Sequence, residues 1–397
     1  MRYKKVLSLF FIFLMICASL VGCWDKKELD HLLIVSAIAL DTNKDGTISL
    51  TLLSSIPRQP TSKSEISSGQ NDTILVSAEG ENIIDAYRKI ELKLSREIFL
   101  SQAECLIVGE STASSGLSDI LDFFSRDQQV PLKTYVLFSK GKASDILEVK
   151  SPIENTPFEE VGKLEDLNLA LKMRYKDMLY AITEEGVEAI APIIQRISSV
   201  DYSSSKSKSL LSIPGSALFK DDKLAGFITD RETRGILWLK NEINNGMITA
   251  KIPNEKGGGL ISGRIERVKT KIDPILKGDN VEFNVNIFAD ATIYESSSKL
   301  DLSSHSAIEY AQKMYAKEIT EMINESLEKI QKQYKLDVVG FGAKVHGKYP
   351  KQWDTIFKDH WNNEFSKSKI IINCNVKIFS TGFDSKSILK KEEDLIK

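Results

Sequence analysis

Val281-Glu282-Phe283-Asn284-Val285-Asn286-Ile287 alternates apolar and polar side chains at period two, the pattern of a strand with one face in a core and the other in water. Downstream, Ile308, Ala311, Tyr315, Ile319, Met322, Leu327, Ile330 and Tyr334 fall on one stripe at helical spacing. At about 1.5 Å per residue such a helix runs roughly 40 Å, enough to back a whole sheet. Pro350 then opens a shorter helix in which Trp353, Phe357, Trp361 and Phe365 recur every four residues. At that strict spacing an aromatic stripe is read as core rather than as a ligand platform. Ile370, Ile372, Cys374, Val376 and Ile378 alternate as a closing strand. These elements predict an α+β unit with a long helix over residues 273–397.

Upstream the pattern changes. Leu32–Leu40 and Thr47–Ile56 read as strands on either side of Asp41-Thr42-Asn43-Lys44-Asp45-Gly46. That turn imitates the start of an EF-hand loop, but its twelfth position is Leu52 where a bidentate Glu is required. Calcium is rejected in favour of a hairpin with Gly46 at its tight point. Pro57–Thr73 is polar and reads as a mobile excursion. Ile83, Ile84, Tyr87, Ile90 and Leu94 mark an amphipathic helix, Cys105–Val108 a buried strand, Leu117, Ile120, Leu121 and Phe124 another helix, and Lys133–Phe138 another strand. Helical pattern continues through Leu164–Ile197 and stops at Ser198–Ser209, where seven of twelve residues are Ser, read as a linker. Beyond it, Ala217–Phe219 and Leu224–Ile228 flank a four-residue connection, Thr233–Ile243 is a short helix, and Met247–Ile252 and Leu260–Ile272 are strands. Gly257-Gly258-Gly259 lacks the Gly-Lys-Ser/Thr ending of a phosphate loop and reads as a turn. The expected fold is mixed α/β and α+β, with sheets packed against helices. Its expected domains are residues 23–200, a small middle unit over 201–272, and 273–397.

The first 22 residues decide the address. Arg2, Lys4 and Lys5 form a positive head, and Val6–Ala18 is an apolar run short for a bilayer span. Leu20-Val21-Gly22-Cys23 looks like a bacterial lipobox, with cleavage between Gly22 and Cys23 and a diacylglyceryl group on the Cys23 thiol. Two acyl chains on one cysteine meet the two-signal requirement for stable anchoring. The expectation is an extracytoplasmic, membrane-held lipoprotein after removal of residues 1–22, whose only attached group is that lipid and which needs no other cofactor.

Composition narrows the function. The 397 residues carry 53 Lys and Arg against 55 Asp and Glu, a net of −2 with no concentrated basic run, which argues against nucleic acid. Losing residues 1–22 removes three cations and no anions, leaving a net of −5. Four His and four Cys at unrelated spacings point to no metal site. Cys105 and Cys374, the cysteines remaining besides Cys23, are read as buried thiols. No Gly-x-Ser-x-Gly, His-Glu-x-x-His, P-loop or dinucleotide fingerprint occurs, and no nucleophile is paired by spacing with His31, His305, His346 or His360. The adjacent pairs Glu159-Glu160 and Glu184-Glu185 read as solvated surface. The chain is expected to be no enzyme.

The run Gly22-Cys23-Trp24-Asp25-Lys26-Lys27-Glu28-Leu29-Asp30 resembles the start of the mature Ger(x)C lipoproteins, the C subunits of spore nutrient-germination receptors, with Trp24, Asp25, Glu28 and Leu29 as the signature. Pro214-Gly215-x-Ala217-Leu218-Phe219-Lys220, Lys223-Leu224-x-Gly226 and Glu232-Thr233-Arg234-Gly235 are similar to that family's second-domain opening. Asp337-x-x-Gly340-Phe341-Gly342, Tyr349-Pro350-x-x-Trp353 and Trp361 look like its C-terminal block. The resemblance implies a three-domain ectodomain on the outer surface of the spore inner membrane. It implies two polytopic partners, an A subunit and a transporter-like B subunit, in a receptor that senses amino acids or sugars, and no catalytic activity. The alternative is a solute-binding lipoprotein of an importer, which expects two similar doubly wound lobes around a cleft, whereas the units here differ in pattern.

Overall fold

The computed structural model describes residues 2–19, 31–55, 73–127, 129–149, 161–163, 170–200, 207–243 and 246–381. Two sheets organise them. The first contains β1 (Leu32–Thr42), β2 (Ile48–Ser55), β3 (Thr73–Gly80), β4 (Glu97–Phe99), β5 (Cys105–Gly109), β6 (Tyr135–Ser139), β7 (Ile190–Val200), β8 (Ser207–Ser212), β9 (Gly215–Lys220) and β10 (Lys223–Thr229). Its path runs β10-β9-β7-β6-β5-β1-β2-β3, with β4 beside β1 and β8 beside β7. The centre, β1, β5, β6 and β7, is parallel. Parallel centres are covered on both faces, which explains why Cys105-Leu106-Ile107-Val108 is apolar without alternation. Leu106 and Val108 face a core shared with the helices Ile83–Glu91 and Ser118–Arg126, while Cys105 and Ile107 face a second core with the short helix Ser144–Leu147.

The second sheet is β11 (Met247–Lys251), β12 (Leu260–Lys277), β13 (Asn280–Ser296) and β14 (Lys369–Ser380), in that order. Val281, Phe283, Val285 and Ile287 point into a core against the long helix His305–Leu327 and its one-turn π extension Glu328–Gln333. Trp353, Phe357, Trp361 and Phe365 are core, as their spacing suggested, although their backbone passes through a π turn and a 3-10 turn before the helix Trp361–Lys367. The fold is mixed, with both sheets packed on helices and a long helix in the C-terminal part.

Several expectations change. Ile190–Ile197 is strand, because its apolar run is buried between β6 and β9; the helix nearby is Tyr175–Thr183. The ends of the serine-rich stretch are paired, Ser198 with Ser209 and Val200 with Ser207, so they extend a hairpin, and 201–206 lie outside the described residues. The segment 201–272 forms no sheet of its own: β8–β10 complete the first sheet, and β11 and β12 begin the second. Asp273-Pro274 lies inside β12, opposite Asn284 and Phe283, and marks no boundary. The β9–β10 turn is two residues, with Asp221 at φ 53. β14 runs parallel to β13, so this sheet is mixed. His346 sits on the helix Phe341–Lys348. Gly46 (φ 86) closes the β1–β2 hairpin as read, and residues 57–72 of the polar excursion lie outside the described residues. Cys105 and Cys374 stand on different sheets, buried and half-buried. Arg2–Ser19 is a helix, and among the described residues no helix is long and apolar enough to cross a membrane.

Candidate functional site

The signature stretches of residues 214–361 converge where the two sheets meet. Beyond the long helix, Lys335 (φ 57) and Gly340 (φ 91) fold the chain tightly around Asp337, which is fully buried. Its Oδ1 accepts from Val339 N (3.2 Å) and Gly340 N (2.8 Å), and its Oδ2 from Gly342 N (2.7 Å) and Trp361 Nε1 (2.9 Å). All four partners are donors, the set a carboxylate satisfies. Burial pushes this carboxyl above the ordinary aspartate range, while the Gly342 and Trp361 donors pull it back.

The other side of the joint comes from Glu184–Ala189, between the helix Tyr175–Thr183 and β7. Glu188 N donates to the Asp337 carbonyl (2.8 Å). The Glu188 carboxylate accepts from Asn362 Nδ2 (2.6 Å) and Asp221 N (2.9 Å), and burial raises its pKa. Glu185 accepts from Trp353 Nε1 (3.3 Å) and ion-pairs with Lys358 (2.5 Å), which holds its carboxyl below the usual range. Gly186 (φ 75) and Gly342 meet backbone to backbone: a Cβ on Gly342 would lie 2.6 Å from the Gly186 carbonyl, and one on Gly186 2.6 Å from the Trp353 ring. His346 stacks on Trp353 at 5.5 Å between centroids.

A second set of contacts closes the joint on the long helix. Thr229 and Glu232 form a capping box that starts the helix Asp230–Lys240. That helix crosses His305–Leu327 at Gly235, where an added Cβ would strike Ser326 Oγ and sit 2.5 Å from the Met322 carbonyl. Ser326 Oγ donates to the Glu232 carbonyl (2.7 Å), and Arg231 pairs with Glu318 and Glu325, each at 2.7 Å. Gly226 lets Tyr334 lie flat on β10. β9 serves both cores, with Leu218 in the C-terminal one and Ala217 and Phe219 in the N-terminal one.

These residues do mechanical work: they fix one sheet against the other and present no nucleophile beside a base. A cleft of about 460 Å³ opens next to the joint, lined by Met173, Arg174, Tyr180, Leu237 and Lys240. Among the described residues no group of three or more His, Cys, Asp and Glu could hold a metal ion. His305 pairs with Glu309 on the surface, and His360 is exposed. Glu185 and Glu188 were not legible as joint residues: Glu184-Glu185 read as solvated surface within a helical pattern carried through to Ile197. Gly22, Cys23, Trp24, Asp25, Glu28 and Leu29, together with Glu159 and Glu160, lie outside the described residues.

The architecture is that of a two-sheet α+β protein whose halves are locked by buried polar contacts. Both halves match known domains: residues 25–196 the spore germination protein N-terminal domain, and 214–382 the spore germination B3/GerAC-like C-terminal domain. The chain belongs to this spore germination family. It is 28% identical to spore germination protein KC of Bacillus subtilis, over 94% of this chain and 96% of the relative. It is 24% identical to spore germination protein B3 of the same organism, over 96% and 98%. The crystal structure of the GerBC protein superposes with a TM-score of 0.56 at 20% identity, over 86% of this chain and 96% of that one, and shows the same fold.

Proposed function

We propose that this chain is the non-catalytic C subunit of a nutrient germinant receptor, held by lipid on Cys23 at the outer surface of the spore inner membrane. There it works with polytopic A and B subunits in the response to nutrients such as amino acids or sugars. The observation that carries the reading is the match of both halves of the chain, over nearly all of its length, to the two spore-germination domains. The joint supports a scaffold role, since its buried groups are spent on holding two sheets in one orientation. A solute-binding protein would place a hinge and an open cleft there; the contacts of Asp337, Gly186 and Gly342 fill that place instead.

Capture of the full chain from gently solubilised spore membranes tests this. Two polytopic receptor subunits at comparable abundance are expected; an importer permease with its ATPase would overturn the reading. Cys23→Ala is expected to leave the melting temperature unchanged and to abolish processing or membrane retention, measured by fractionation. A processed Cys23→Ala chain that still requires detergent would refute the anchor.

A further inference from the structure

The second sheet has one covered face and one open face. The helix His305–Leu327 packs on the inner side chains of β11–β14, and no described element covers the outer ones. Six of the thirteen large apolar side chains exposed outside the N-terminal helix, among the described residues, stand on that outer face. Phe288 is 58% exposed, Tyr294 58% and Phe379 52%. Cations accompany them. Arg264 lies over the Tyr294 ring at 5.2 Å, and Arg267 and Lys377 over Phe379 at 5.7 and 4.9 Å. Register places Arg267, Asp290 and Lys377 in one row across three strands, and Lys269, Phe288 and Asn375 in the next, with Lys271 beyond. The outward carboxylates are Asp290, ion-paired with Arg267 at 2.9 Å, Asp273, paired with Lys348 at 2.8 Å, Glu282 in register with Lys369, Glu295, and Glu266 at the bulge, so the excess of cations lies on the rows from Arg264 to Lys271 and at Lys377. A basic, aromatic face has formed on a chain whose net charge is −2.

We propose that this face of β12–β14 lies against an anionic phospholipid surface. Aromatic rings with cations beside them are the composition of a membrane interface, where the ring enters the headgroup layer and the cation stays among the phosphates. Lysine supplies Lys269, Lys271 and Lys377, and lysine is depleted at protein–protein interfaces but contributes fully at an anionic lipid surface. An acidic protein beside an anionic bilayer turns a basic face toward it, which would set the orientation of both sheets relative to the membrane. The proposal rests on the reading above only in that the Cys23 lipid brings the face within reach.

The test uses the full lipidated chain carrying Asn375→Cys, an exposed position beside Phe288. The introduced thiol is labelled with a polarity-sensitive fluorophore; Cys374 is half-buried and its thiol is pushed up to about 12, so it competes poorly. The label is expected to be about threefold less accessible to an aqueous quencher on vesicles containing phosphatidylglycerol than on phosphatidylcholine alone. Raised salt should erase the difference, as should the combined changes Lys269→Glu, Lys271→Glu and Lys377→Glu, which leave the melting temperature in place because those side chains are exposed. Equal quenching on both vesicle types overturns the proposal. Protection that appears only on native spore membranes also overturns it, in favour of a protein partner. Flotation separates the two readings. A chain that floats with phosphatidylglycerol vesicles alone retains the face and loses the anchor, and one that floats with neither overturns both.

Discussion

The two sheets solve the burial problem differently. At the centre of the first, Cys105, Leu106, Ile107 and Val108 are all essentially inaccessible, because β5 is parallel to its neighbours and has helices on both sides. In the second, β13 buries Val281, Phe283, Val285 and Ile287 and turns Glu282, Asn284, Asn286 and Phe288 outward. A strand buried on both faces has no free side for recognition; a strand buried on one face carries its stability and its available surface on alternate residues. The centre of the first sheet is therefore expected to be uniformly intolerant of truncation, and the second sheet intolerant only at every other position.

The most severe way to break the comparison is to remove the buried carboxylate at the joint. Asp337→Ala leaves Gly340 N, Gly342 N and Trp361 Nε1 buried without their acceptor. Losing one partner of a buried charged network costs about 3–5 kcal/mol. Those donors belong to the C-terminal part, and Glu188 N keeps its bond to the main-chain carbonyl at this position, so calorimetry is expected to show a lower melting temperature with the halves still joined. An unshifted melting temperature would mean that the carboxylate does not hold the turn that faces Glu184–Ala189. Next in size is Ile107→Ala on β5, expected to cost about 2–5 kcal/mol by the cavity it leaves in the core under Ser144–Leu147. Denaturant unfolding measures it; a loss below about 1 kcal/mol would show that the first sheet's second face is loosely packed.

The same contrast explains what the sequence revealed. Alternation at Val281–Ile287 and the stripe from Ile308 to Tyr334 identified the second sheet and its helix, since one-sided burial writes itself into the chain as a period. Two-sided burial erases the period, so Ile190–Ile197 reads as readily as helix, and only pairing with β6 and β9 decides it. The division of residues 201–272 between the sheets was hidden for a related reason. Strand membership is a property of partners far along the chain: β9 pairs through Ala217 with Ala191 of β7, and β12 through Ile272 with Val285 of β13. The joint was half legible. Asp337, Gly340, Gly342, Trp353 and Trp361 stood out through resemblance, but Glu185, Gly186 and Glu188, which complete it, carry no local pattern because their role is set by backbone approaching backbone.

Gly235→Ala probes the second seam of the joint and pits two effects against each other. Alanine favours an isolated helix by about 1 kcal/mol. Here its methyl would meet Ser326 Oγ and the Met322 carbonyl, and a backbone atom cannot swing aside. Overpacking of this kind costs about 1–3 kcal/mol, so the net change is expected to be destabilising, read as a lower denaturation midpoint. Gain of stability would show that the two helices separate easily, and that the Arg231 pairs with Glu318 and Glu325 suffice to hold them.

The smallest expected effect sharpens the comparison most. Phe288→Ala removes as many carbon atoms as a core truncation would, yet the ring is 58% exposed on the outer face of β13 and pairs across the strands with Lys269 and Asn375. The melting temperature is expected to move little, within about 0.5 kcal/mol of stability. Its neighbour Ile287, one residue earlier and fully buried, lies on the opposite face of the same strand. If Phe288→Ala cost as much as Ile107→Ala, the outer face would belong to a core and the one-sided account of the second sheet would fail. If it costs nothing, folding does not require this ring, and its exposure beside Lys269 and Lys377 is a property of the surface that meets something else.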